Sequence, residues 1–159
     1  MMTNPQNPTQ TNAYYHAASA YSNTQAGTMS GFEVVAELYK GMIKFVGQAK
    51  KSYQGGQLDD MCHYIQKTNK ILMALQSHLD FEQGGEAAVF LNDFYTGMFS
   101  KLFKVLRADD PAAEFDEVHK MLLPVKDIWV AHAANSRKDD PEDHIALPSS
   151  AQAPQQKSE

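Results

Sequence analysis

The stretch Leu58 to Leu106, LDDMCHYIQKTNKILMALQSHLDFEQGGEAAVFLNDFYTGMFSKLFKVL, decides the fold. Its first half places Leu58, Met61, Ile65, Thr68, Leu72, Leu75 and Leu79 at alternating steps of three and four. That spacing is an unbroken heptad seam on one helix face. The seam stops at Asp80, and Gln83-Gly84-Gly85 follows. Paired glycines end a helix well, because they accept positive φ without a Cβ clash. A second seam then runs through Ala88, Leu91, Tyr95, Met98, Leu102 and Val105. Two amphipathic helices joined by a short glycine turn fold back on each other.

Working outward, two more seams flank this hairpin. Before it, Phe32, Val35, Tyr39, Met42, Val46, Ala49 and Tyr53 repeat the same spacing. Ser30 is the expected N-cap, with Glu33 at the capping-box position, and Gly55-Gly56 closes the helix. After it, Asp109-Asp110-Pro111 is a helix start, with acid at the cap and proline in the first turn. Phe115, Val118, Leu122, Val125, Trp129 and His132 form the last seam. Its phase survives Pro124, so one kinked helix is predicted rather than two. The expected helices are 31–54, 58–80, 86–107 and one from residue 111 to about 134. Short connections between four such helices specify an all-α, antiparallel, up-down-up-down four-helix bundle over 31–134.

The ends read differently. Residues 1–13 are mostly Asn, Gln, Thr and Pro with almost nothing to bury, which predicts disorder. Residues 14–22, YYHAASAYS, are rich in tyrosine and alanine and read as a short helix or a sticky arm, joined by a linker up to residue 30. From residue 135 the chain is polar, with Pro141, Pro148 and Pro154, and reads as a disordered tail.

Composition bounds the function. The chain has 159 residues, 43% of them hydrophobic, enough for one domain with a core. A net charge of −5 argues against a nucleic-acid binder with a wide basic face. No apolar run approaches the ~18 residues that a membrane span needs. The N-terminus shows no secretion signal, and the single cysteine, Cys62, fits a reducing cytoplasm.

Chemistry-bearing patterns are sparse. Asp116 and His119 have the i,i+3 spacing of di-iron bundles, but such a site needs the pair twice plus inward glutamates. His63 and His78 lack the surroundings of a phosphotransfer histidine. No glycine-rich phosphate loop follows a strand. No metal or cofactor and no catalysis are expected; a metal or phosphotransfer bundle and a helical adaptor for some other client are the alternatives. What remains is surplus apolar surface. Phe90 shares a line with Gly97 and Lys101, away from its seam, and Phe94, Phe99 and Phe103 lie beside that seam. Ile43 lines up with Ala36, Lys40, Gly47 and Lys50. Tyr64 and Ile71 continue into Ala74 and His78. A wide core-facing stripe explains most of these residues. Phe90 and Ile43 point instead to an apolar groove that docks a partner helix.

From Ser30 to Trp129 the chain resembles the flagellin export chaperones called FliS. ELYKGMIKF, Glu37 to Phe45, looks like that family's LYDG box. YIQKTNKILMALQSHLDFEQGGEAAVFLNDFY, Tyr64 to Tyr95, is similar to its second helix, turn and third helix, and the leucine-rich stretch ends in Trp129. Lys40 stands where the family has the box aspartate, and Ser30-Gly31 where it usually has Ser-Pro. The resemblance implies a cytoplasmic chaperone that binds the C-terminal segment of flagellin, prevents premature polymerisation and helps deliver it to the flagellar type III export gate. It carries over onto Tyr39, Gly41, Ile71, Leu72, Leu91 and Tyr95. It also implies that an N-terminal aromatic segment, here Tyr14, Tyr15 and Tyr21, can cover the groove. The expected partner-binding residues are Tyr14, Tyr15, Tyr39, Ile43, Tyr64, Ile71, Ala74, His78, Phe90 and Phe94.

Overall fold

Four helices in chain order make up the computed structural model, which describes residues 30–138. They are α1 (Gly31–Gln54), α2 (Leu58–Ser77), α3 (Phe81–Lys104) and α4 (Pro111–Lys138), with a 3-10 turn, Val105–Arg107, after α3. No strand occurs among the described residues. Sequential helices are neighbours and α4 returns to α1, which closes the antiparallel bundle. The two tyrosines Tyr14 and Tyr15, the arm that holds them and the tail after Lys138 lie outside the described residues.

The caps follow the local chemistry. Ser30 Oγ accepts from the Glu33 amide at 3.3 Å, and Glu33 Oε2 accepts from the Ser30 amide at 3.0 Å, the reciprocal capping box. Gly56, at φ 73°, turns the chain after α1. Asp110 Oδ1 accepts from the Ala113 amide at 3.1 Å and starts α4.

The seams form the core. Every seam residue of α3 and α4 is buried, as are those of α1 up to Ala49 and Met61, Thr68, Leu72 and Leu75 of α2. Tyr53, Ile65 and Leu79 are half-buried. Leu58 does not join the core and is 52% exposed, because it opens α2 at the turn where no facing helix covers it.

The boundaries differ from expectation at the α2–α3 junction and at the ends of α3 and α4; α3 stops at Lys104 and passes into the 3-10 turn. The paired glycines do not join α2 to α3. α2 ends at Ser77, and Asp80 Oδ1 accepts from the Glu82 and Gln83 amides at 2.9 and 3.0 Å. That cap nucleates a helical turn ahead of the glycines. Gly85 alone breaks it, with φ 49° and ψ −129°, and the helix resumes at Glu86. At the other end α4 continues past residue 134 to Lys138. Ser136 Oγ donates to the His132 carbonyl at 3.0 Å, and Arg137 donates to Glu33, so the last turn is tied to the start of α1.

α4 passes through Pro124 as one helix, and Pro124 is exposed. The proline supplies no amide to the ladder. Pro124→Ala is therefore expected to raise stability by up to ~3 kcal/mol in urea denaturation.

His132 gives a second test. Its ring stacks on Phe32 at 5.8 Å between centroids, and burial lowers its pKa below the usual 6.5. As pH falls through that value the unfolded chain takes up a proton that the buried imidazole resists, so stability falls. Asp116 and Glu117, held low by hydrogen bonds from Lys50 and Lys101, lose their contribution only in the more acidic carboxylate range. Denaturation at about pH 5.5 should show lower stability than at about pH 7.5, and His132→Gln should flatten the difference.

Candidate client-binding groove

The phase of a residue relative to its seam decides which flank of the helix it occupies. On α1, Val34, Leu38, Gly41 and Phe45 each stand one residue ahead of a seam position; on α2, Tyr64, Lys67, Ile71, Ala74 and His78 do the same. These two lines face each other. At one end Gly31, Val34, Val35, Leu38, Ala74, Leu75 and His78 line an apolar cavity of about 120 Å³. In the middle a Cβ on Gly41 would stand 3.5 Å from Ile71 Cδ1, so the missing side chain opens the floor over Ile71. At the other end Phe45 and Tyr64 stack, 6.2 Å between centroids, and Lys67 Nζ lies 5.2 Å from the centroid of the Phe45 ring. Val34, Leu38, Gly41, Phe45, Tyr64, Lys67 and Ile71 are half-buried, and Ala74 and His78 are exposed. The His78 ring Nδ1 is 2.8 Å from the Ala74 carbonyl, which holds the imidazole at the cavity rim.

The remaining site residues fall elsewhere. Ile43 stands one residue after a seam position, seven before Lys50, whose Nζ is 2.7 Å from Asp116 of α4. It therefore sits on the α4 flank of α1, half-buried against the core. Lys40 is on this flank too, paired with Glu37 at 2.6 Å. The departure from the family's box aspartate thus lies on the opposite flank from the α1–α2 groove. Phe90 and Phe94 stack at 6.4 Å between centroids. They share a line with Lys101, whose Nζ is 2.7 Å from Glu117 of α4. Asn92 and Thr96, on the other flank, meet Gln76 of α2 at 2.9 and 3.1 Å. Phe90 and Phe94 thus face the α3–α4 side, and Ile71 and Phe90 do not border one groove. Tyr39 is wholly buried, its hydroxyl donating to that of Tyr95 at 3.1 Å. It supports the groove from the core and has no surface to offer a client.

Val34, Leu38, Phe45 and Lys67 are groove residues that the sequence reading missed. Their signal was the same three-four spacing set one step ahead of the seam. Among the described residues no group of three His, Cys, Asp or Glu could hold a metal ion, and Asp116 is bound to Lys50. No helix among them is long and apolar enough to cross a membrane.

Comparison with known proteins agrees with the family resemblance. The family model described as flagellar protein FliS matches residues 14–136, a span that includes the two tyrosines at its start. The flagellar secretion chaperone FliS of Campylobacter jejuni is 34% identical over 113 residues, covering 71% of this chain and 88% of its own. The protein of that name from Vibrio cholerae is 26% identical over 107 residues, covering 67% and 78%. FliSB of Pseudomonas aeruginosa, also a flagellar secretion chaperone, is 29% identical over 105 residues, covering 66% and 82%. With the bundle, the ELYKG box at the groove and this breadth of match, the chain belongs to the FliS family of flagellar proteins.

Proposed function

We propose that this chain is a flagellar export chaperone. Its client is the C-terminal segment of flagellin, which it holds as a helix in the α1–α2 groove. Holding that segment in the cytosol keeps flagellin from polymerising early and keeps it ready for the flagellar export gate. The observation that carries this reading is the groove itself. The ELYKGMIKF box supplies one wall through Leu38, Gly41 and Phe45, and Tyr64, Ile71, Ala74 and His78 supply the other. A client that orders on binding needs apolar surface to offset its lost chain entropy. The half-buried side chains of this groove offer such surface to an amphipathic helix. The Phe90–Phe94 patch on α3, with Phe90 49% exposed, is a second contact for the same segment after it leaves the groove.

Titration calorimetry with a peptide of the flagellin C-terminus tests both contacts. Ile71→Ser should weaken binding by about tenfold or more, since it removes a buried aliphatic contact worth ~1.5–3 kcal/mol. It should leave a cooperative melt, because Ile71 lies off the seam. Phe90→Ser should weaken binding less. Wild-type affinity in the Ile71→Ser variant would place the client elsewhere.

Gly41→Leu is the steric counterpart. It fills the groove above Ile71 with a good helix former, so the bundle should melt no lower than wild type. Loss of flagellin co-purification is expected; retained co-purification would exclude the groove as the seat of the client.

A further inference from the structure

Four lysines among the described residues are half-buried: Lys50, Lys67, Lys101 and Lys126. Three of them hold carboxylates. Lys50 meets Asp116 at 2.7 Å, Lys101 meets Glu117 at 2.7 Å and Lys126 meets Asp127 at 2.6 Å. Lys67 is the exception: no acidic side chain among the described residues pairs with it. Its ammonium rests over two aromatic rings instead, 5.2 Å from the centroid of Phe45 and 5.8 Å from that of Tyr64. Ring faces attract a cation, but they leave its outward N–H donors unused. The position is not on a free surface of α2. It is the end wall of the α1–α2 groove, eleven residues before His78, which caps α2 beside the apolar cavity. At 1.5 Å per residue the two ends stand about 16 Å apart, three turns of a helix.

We propose that Lys67 is a specificity-determining residue of this groove: it receives an Asp or Glu side chain of the client helix, about three turns from the apolar side chain that fills the cavity beside Ala74 and His78. This rests on the reading of the groove as the client site and adds a direction to it. An apolar groove alone accepts an amphipathic helix in either orientation and at several registers. A single charge at one end admits the register that brings an acid to it and opposes those that bring a base. The aromatic pair beneath Lys67 fixes the ammonium in place and partly shields it from water, which strengthens its pull on an incoming carboxylate.

The test uses the full chain and a synthetic peptide of the flagellin C-terminus, wild type and with each Asp or Glu changed singly to its amide. Lys67→Met keeps the apolar stem and removes the charge. It should weaken wild-type peptide binding about fivefold, and Lys67→Glu about tenfold or more, with both losses shrinking from ~0.05 M to ~0.5 M salt. Lys67→Arg should bind close to wild type. One amide peptide should lose affinity for wild-type protein and be indifferent to Lys67→Met, and the same position changed to Lys should restore binding to Lys67→Glu. Equal binding by wild type, Lys67→Met and Lys67→Glu, with wild type binding well, overturns the role of Lys67 and leaves the groove standing. No binding by wild type overturns both. If amidation of the peptide's C-terminus alone removes the dependence on Lys67, the acid is the chain end and the side-chain assignment falls.

Discussion

The hydroxyls of Tyr39 and Tyr95 meet at 3.1 Å across the middle of the bundle, and both rings are wholly buried. α1 and α3 are diagonal partners, so this bond spans the core rather than joining neighbours. Two long, stiff side chains set end to end fix how far apart those helices stand. Neither helix can close in without expelling a ring, and neither can move out without parting two buried polar atoms. α1 makes close approaches along both α2 and α4, whereas α3 approaches its neighbours at few points and rests on large side chains. The depth of the surface lines between helices follows from this separation. Tyr39 lies within the family's helix 1 box and is also a core residue; the two facts have one cause, because it supports the α1 wall of the groove from inside.

The fold was legible because four heptad seams keep their phase, and a side chain at a seam position has only one place to go. The seams of α3 and α4 are buried throughout, even across Pro124. The failures are local contests. Asp80 caps a turn that the glycine pair was expected to prevent, and only Gly85 takes the positive φ that glycine uniquely permits. Leu58 has the right spacing but sits where no helix faces it. The end of α4 was missed because its last turn is held by Arg137 on Glu33, a pairing between residues 104 apart in sequence that no local pattern announces.

The candidate site was half legible. Tyr64, Ile71, Ala74 and His78 were found together because they form one line on α2, and one line is what a helical spacing can show. Which line on the next helix faces it depends on the hand of the bundle. In an antiparallel bundle the flanks alternate: residues one step ahead of the seam meet across α1–α2 and α3–α4, and residues one step after it meet across α2–α3 and α4–α1. The Phe45–Tyr64 stack, the Lys101–Glu117 pair, the Gln76–Asn92 bond and the Lys50–Asp116 pair mark these four contacts in turn. Under that rule Ile43 belongs with α4 and Phe90 with the α3–α4 side, and grouping either with Ile71 by apolarity alone ignores the rotation.

This separation of surfaces bears on how a client could be held. A helix lying along the groove from His78 to Lys67 covers a strip about 16 Å long and about 10 Å wide. Burying that strip on both partners returns ~8 kcal/mol at ~25 cal/mol per Å². Ordering about eleven residues of a flexible chain costs ~11 kcal/mol even at the low figure of ~1 kcal/mol per residue. The groove alone therefore falls a few kcal/mol short of holding a segment that arrives unfolded. On the proposed reading, charge at Lys67 and apolar surface outside the groove would supply the difference, and Phe90 with Phe94 is such surface. A chaperone that must later surrender its client gains from this division. Two modest contacts on separate flanks can be released one after the other, each against a smaller barrier than a single deep site of the same total strength.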